Sequence, residues 1–169
     1  AVISLWHHIN EQKPDQVSVR VFNPTVSRQG WQSTHTIVEI VVPDCPFLVD
    51  SIKMALSRLD LSSHLMLHGP TQIGRGDKGK ITSINQGEGA LQSLFHIEVD
   101  RLTDKKEMTA LKEELLSILN DTELVVKDWL LMVEKLEQVT SHVESQQGKV
   151  KIECDRYEES IRFLRWLGD

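Results

Sequence analysis

The chain has 169 residues, 40% of them hydrophobic, and 19 basic against 25 acidic side chains give a net charge of −6. That length holds one domain, or one domain with an appendage, and buries enough surface to fold without disulfide staples. The acidic balance and the lack of a long basic block argue against nucleic acid and polybasic membrane binding, and no apolar run reaches the roughly 18 residues of a membrane span.

Val2-Ile3-Ser4-Leu5-Trp6 reads as a helix already under way, so residues 1–15 are expected to be a truncated N-terminal helix and the chain a segment of a longer polypeptide. Val17, Val19 and Val21 alternate with polar residues and stop at Asn23-Pro24, which predicts a strand over 17–22. A polar connection leads to a β-branched strand over 34–42, with Thr36, Val38, Ile40 and Val42 on one face, ended by Pro43. Pro46 suits a first helical turn, and Leu48, Ile52, Ala55, Leu56 and Leu59 come after it at helical spacing.

A third strand is expected over 62–68, with Leu65 and Leu67 on one side and His64, Met66 and His68 on the other. Six of the nine glycines then fall between Gly69 and Gly89, around two β-prone pieces, Thr71–Ile73 and Ile81–Ile84, that predict a protruding hairpin inserted at 69–90. Residues 94–99 form the next strand, burying Phe95, Ile97 and Val99. Asp104 with Glu107 is a capping box opening a helix with Met108, Leu111, Leu115, Ile118 and Leu119 in a stripe. Asn120-Asp121 is expected to break it before a second helix carrying Val126, Trp129, Val133, Leu136 and Val143. Asp155 and Glu158 open a last helix, with Tyr157, Ile161, Leu164 and Leu167 on one face.

In order, residues 17–119 give strand, strand, helix, strand, hairpin, strand, helix, which is most of a split βαβ, ferredoxin-like α+β sandwich with a mainly antiparallel sheet. Its final strand is missing, and the strand at 17–22 is placed to supply that edge from the N-terminal side. Helices then cover one sheet face, the other face is free, and 121–169 form a C-terminal helical extension of the domain at 16–120. By alternation the free face collects Arg20, His35, Glu39, His64, Met66, His68, His96, Glu98 and Asp100. Imidazoles and carboxylates suit a divalent metal, but no short-spaced ligand pair is present; the reading adopted is no metal and a polar interface with cross-strand pairs such as His35 with Glu98.

Gly74-Arg75-Gly76-Asp77-Lys78-Gly79 matches a dinucleotide fingerprint letter for letter. The run after it, Lys80-Ile81-Thr82-Ser83-Ile84, is β-prone rather than helical, so these are hairpin glycines. Cys45 and Cys154 lie in no Cys-x-x-Cys or zinc spacing and read as free thiols, and the chain lacks a leader-like start, which points to the cytoplasm. No Ser/His/Asp or Cys/His set is locally assembled. The turn Pro43-Asp44-Cys45-Pro46-Phe47 joins a strand end to a helix N-terminus whose free N–H groups suit a small carboxylate. There Cys45 has either a thiol pKa lowered by the helix or the role of a half-buried turn residue, and Trp31 with Phe47 forms either a ligand wall or a plug for the core.

Four blocks and the chain's end carry a resemblance. They are Val21-Phe22-Asn23-Pro24, Gly30-Trp31-Gln32-Ser33-Thr34-His35-Thr36, Asp44-Cys45-Pro46-Phe47-Leu48-Val49-Asp50-Ser51, Phe95-His96-Ile97-Glu98-Val99-Asp100-Arg101, and the closing Phe163-Leu164-Arg165-Trp166-Leu167. Together they resemble the N-terminal region of the large bacterial NAD-specific glutamate dehydrogenases. The resemblance implies an ACT-like module, related to domains that often sense amino acids, with the NAD and glutamate machinery far downstream and no cofactor in this segment. It also implies other domains and subunits of the same enzyme as partners, together with a small amino-acid effector. The effector would sit at Asp44, Cys45, Pro46, Phe47, Asp50 and Ser51. Phe47 stands where the ACT pattern has a glycine.

Overall fold

The computed structural model describes residues 2–11, 16–76, 79–146 and 154–168. In chain order they form α1 (Val2–Glu11), β1 (Ser18–Phe22), α2 (Val26–Gln29), β2 (Thr36–Pro43), α3 (Leu48–Arg58), β3 (Ser63–Arg75), β4 (Ile81–Ile84), β5 (Ala90–Val99), α4 (Lys105–Ser145) and α5 (Cys154–Gly168). The chain divides into two compact units, Ala1–Glu123 and Leu124–Asp169.

The first unit holds a five-stranded antiparallel sheet in the order β1-β2-β5-β3-β4. β1 runs along β2 from Ser18 opposite Val41 to Phe22 opposite Ile37. It therefore occupies the edge that a ferredoxin-like fold gives to its last strand, as the alternating valines predict. Strand periodicity puts Val38, Ile40, Val42, Phe95, Ile97 and Val99 on one face. Against them pack Leu48, Ile52, Ala55 and Leu56 of α3 and Leu111, Leu115, Ile118 and Leu119 of α4. At ~1.5–3 kcal/mol for each large side chain fully buried, this two-helix layer supplies the main driving force for the fold. Asp104 caps α4, its Oδ1 accepting the Lys106 N–H at 2.8 Å.

Four expectations are corrected. The second sheet face is not free: Ile9 of α1 is buried there with Val41 and Ile73, and Leu5 packs beside them. The short stripe Leu5, Ile9 at helical spacing is what seats α1.

β3 has the opposite facing from the one expected. Met66 lies opposite Ile97 and His68 opposite Phe95, so both side chains belong to the helix-covered face, while Leu65 and Leu67 point outward and are 40% and 56% exposed. The pairing slips between Ser63 and Leu65, which makes His64 an irregular position. His68 is accommodated because its ring stacks on Phe95 at 4.2 Å and its Nε2 meets the Ser93 hydroxyl at 3.0 Å.

α4 does not break at Asn120-Asp121. Helix propensity disfavours these residues by only ~0.5–0.7 kcal/mol each. Buried Leu119 and Thr122 flank them, and Thr122 donates to the Ile118 carbonyl oxygen at 2.7 Å.

The expected hairpin is in part an extension of β3, which continues to Arg75, with Ile73 opposite Ile84. Gly76 and Gly79 close the turn: Gly79 N–H donates to the Gly76 carbonyl at 2.8 Å, and Gly76 N–H to that of Lys80 at 2.9 Å. The fingerprint-like glycines thus join two strands; Asp77 and Lys78 lie outside the described residues. Gly89, at φ +109°, is required by space, since a Cβ there would stand 2.2 Å from the Ile73 carbonyl oxygen.

In the second unit α5 packs on the C-terminal part of α4. The Tyr157 hydroxyl donates to the Val143 carbonyl, and Arg165 pairs with Glu144 at 2.7 Å. Trp129, Leu131, Met132 and Trp166 are exposed on these helices. The Cys154 side chain lies outside the described residues.

Candidate functional site

The turn between β2 and α3 is built by Asp44. Its N–H donates to the Leu91 carbonyl at 3.1 Å, and its Oδ1 accepts the Ser93 hydroxyl. With His68 on the other side of Ser93, an Asp, a Ser and a His are connected, a set that sequence spacing did not reveal. The order differs from a nucleophilic triad: the carboxylate binds the serine rather than orienting the imidazole, and Ser93 is fully buried.

The six turn residues point in different directions. Phe47 precedes α3 in the left-handed region at φ +69°, with its ring 69% exposed. Asp50 and Pro46 face solvent, Cys45 packs against the core, and Ser51 is buried with its Oγ 2.9 Å from the Thr122 hydroxyl. Burial raises the Cys45 thiol pKa, reinforced by the negative charges of Asp44 and Glu123, so the lowered-pKa alternative is corrected. Trp31 does not join Phe47: its ring lies 6.4 Å from that of His96 on the outward sheet face.

That outward face carries two polar groups. At its rim, His35 Nδ1 stands 3.1 Å from Glu98, the cross-strand pair expected from alternation, and His64 Nε2 stands 2.7 Å from Asp100. The two imidazoles lie 4.4 Å apart. Asp100 also accepts the Ser62 N–H at 2.8 Å, and this bond, with that to His64, holds its carboxyl below the usual range.

Further in, Arg20, Glu39 and His96 share one row across β1, β2 and β5. Glu39 is 0% exposed, His96 6%, and α1 lays His8, 3% exposed, over them. Glu39 Oε2 is 3.9 Å from His8 Nδ1 and 3.8 Å from Arg20 Nη1, and Oε1 is 4.0 Å from His96 Nδ1. These are ion-pair separations rather than hydrogen bonds. Burial drives His8 down to about 4, aided by the charges of Arg20 and Lys112, and lowers His96 as well. It pushes Glu39 up. Sequence reading found Arg20, Glu39 and His96 by alternation but missed His8, Ser4 and Trp31, which reach the face from segments outside the strands. Among the described residues, no three His, Cys, Asp or Glu side chains converge as metal ligands, and no helix is long and apolar enough to cross a membrane.

The strand order, with two helices on one face and the edge strand supplied from the N-terminal side, defines an ACT-like α+β domain. The family model "Glutamate dehydrogenase, ACT1 domain" matches residues 1–115, and the chain belongs to that family. The NAD-specific glutamate dehydrogenase of Pseudomonas aeruginosa is 34% identical over 172 residues, covering 99% of this chain and 10% of that protein. The enzyme of the same name from Halomonas elongata is 31% identical over 172 residues, covering 99% of this chain and 11% of that protein. The chain spans about a tenth of the length of these curated relatives.

Proposed function

We propose that this chain is a non-catalytic regulatory and assembly domain of a cytoplasmic NAD-dependent glutamate dehydrogenase, an enzyme that oxidatively deaminates L-glutamate to 2-oxoglutarate as NAD is reduced. The observation that carries this reading is the match of residues 1–115 to the ACT1 domain family, in a chain a tenth as long as its relatives. On this reading residues 1–15 lead into an ACT-like domain at 16–120, and 121–169 extend toward the next domain. NAD and glutamate bind elsewhere in the parent enzyme. Regulation works by population shift: an amino acid at the turn formed by Asp44, Cys45, Pro46, Phe47, Asp50 and Ser51, or a neighbouring domain on the outward face, stabilises one arrangement of the subunit. Arg20, His35, His64, Glu98 and Asp100 contribute to that interface, whereas Glu39 and His96 are covered by α1 and His68 belongs to the helix-covered face.

Calorimetric titration of the chain with the common amino acids tests the effector. Micromolar binding that Asp44→Ala weakens supports sensing at the turn, whereas no heat from any amino acid overturns it. The exposed Phe47 ring, at the position where a glycine lets a ligand approach the backbone, favours a second reading: a structural module with no small-molecule site.

A further inference from the structure

In the helical unit α5 turns back along α4, with Tyr157 bonded to Val143 and Gly168 beside Leu136. The two sides of this hairpin differ in chemistry. Glu137, Ser141, Glu144 and Arg165 line one of them. On the other, Trp129, Met132, Val139 and Leu167 border an open hollow of about 470 Å³, and Phe163 borders a second hollow beside His142 and Ser160. Met132 and Val139 on α4, and Ser160 and Leu167 on α5, stand at heptad spacing, which keeps each pair on one face and makes the two hollows a single groove along the hairpin. Charged heads face water on the first side; large apolar side chains face it on the second.

Trp129, Met132, Val139, Phe163, Trp166 and Leu167 are between 42% and 69% exposed. With ~150–250 Å² for a fully covered aromatic and ~1.5–3 kcal/mol at ~25 cal/mol per Å² for an aliphatic side chain, these six offer roughly 400–600 Å² of apolar area. In an interface about 60% apolar that corresponds to roughly 700–1,000 Å² per copy, against the ~800 Å² per partner of a stable complex. Phe163 and Trp166, ring centroids 6.0 Å apart, project from α5 as a ridge beside the hollow of Trp129, Met132, Val139 and Leu167. A face that has both a ridge and a hollow can match itself, since a twofold axis seats each ridge in the other copy's hollow. The charged residues lining the groove, Lys135, Arg156 and Glu159, are of both signs, so the face does not repel its own copy. We propose that this side of the helical hairpin is a self-association surface, on which two copies of the chain pair about a twofold axis into a four-helix arrangement. The surface uses no residue of the turn at 43–51 or of the outward sheet face, so its failure leaves the effector and sheet-interface readings untouched.

The test is sedimentation equilibrium of the 169-residue chain over a range of concentrations. A dimer with a dissociation constant of about 50 µM or tighter is expected, since interfaces of this size reach micromolar affinity or better. Met132→Glu and Phe163→Glu, each placing a carboxylate in the covered area, should weaken it by at least about tenfold with an unchanged circular dichroism spectrum. Ser141→Glu, on the polar side of the hairpin, should leave the dimer as it is. A chain that stays monomeric at about 100 µM overturns the proposal and points to another segment of the parent enzyme as the occupant of the groove. A dimer that survives both Met132→Glu and Phe163→Glu overturns it as well, because the copies then meet elsewhere. Should either variant fail to fold, a fluorotryptophan-labelled chain decides: the fluorine resonances of Trp129 and Trp166 are expected to move as the chain associates, and resonances that stay fixed contradict the surface.

Discussion

The Asn23 side-chain amide donates to the Leu102 carbonyl oxygen at 2.8 Å, joining the end of β1 to the β5–α4 connection across 79 positions of sequence. Thr36 closes the ring, its hydroxyl donating to Asn23 Oδ1 at 2.8 Å and accepting the Leu102 N–H at 2.8 Å. Three chain segments are locked by three bonds, two of them made by one hydroxyl. Thr36→Val keeps the shape but strands a buried N–H and an amide oxygen. It should cost about 2–3 kcal/mol, read as a lower urea midpoint with an unchanged slope.

The buried His8 gives the stability a pH dependence whose sign is fixed. Its pKa falls from 6.5 unfolded to about 4 folded, so between these values the unfolded chain binds the extra proton. His8 therefore costs nothing above pH 6.5 and removes stability progressively as pH falls to about 4, by about 3 kcal/mol in total. Glu39, raised by burial, works in the other direction, its cost growing as pH rises through its folded pKa. Denaturation of the protein and of His8→Gln from pH 7 to 4 should show the variant losing less stability on the acid side. Parallel curves for the two proteins contradict the assignment.

Phe47 holds a left-handed backbone that costs a residue with a Cβ about 1 kcal/mol or more, and its exposed ring recovers little of that by burial. Phe47→Gly should raise the midpoint of thermal unfolding by about 2–4 °C. If the effector reading holds, the same variant, by clearing the helix entrance, should also tighten amino-acid binding in a calorimetric titration.

Charge reversals on the outward face separate folding from assembly. Arg20→Glu places a second carboxylate beside buried Glu39 and should destabilise the domain itself by about 3 kcal/mol, seen by denaturation of the chain alone. Glu98→Lys breaks only the part-exposed pair with His35 and should leave unfolding within about 1 kcal/mol of the original. If the assembly reading holds, Glu98→Lys in the parent enzyme is expected to loosen its assembly, as measured by sedimentation; unchanged assembly removes this face from the interface.

The sheet and its helix-covered core were legible because their side chains follow regular periods: the valines of β1, the β-branched run of β2 and the stripe of α3 each admit one arrangement. β3 was not, since both of its parities carry a hydrophobic residue and a slip near His64 resets which parity faces the helices. Asn120-Asp121 misled for a related reason, because weak local propensity gives way to packing at Leu119 and Thr122. At the candidate sites, Arg20, Glu39 and His96 could be grouped by alternation within strands. His8 could not: its partners are set by how α1 lands on the sheet, and no spacing along the chain encodes that distance.

The edge strand that precedes its neighbour bears on how the domain is made. Where a fourth strand comes after the last helix, the sheet stays open on that side until the final residues leave the ribosome. Here β1 and β2 are close in sequence, so the edge forms from contacts of low sequence separation, early in synthesis, and hides the backbone of β2 from other nascent chains while the rest of the domain is still being translated.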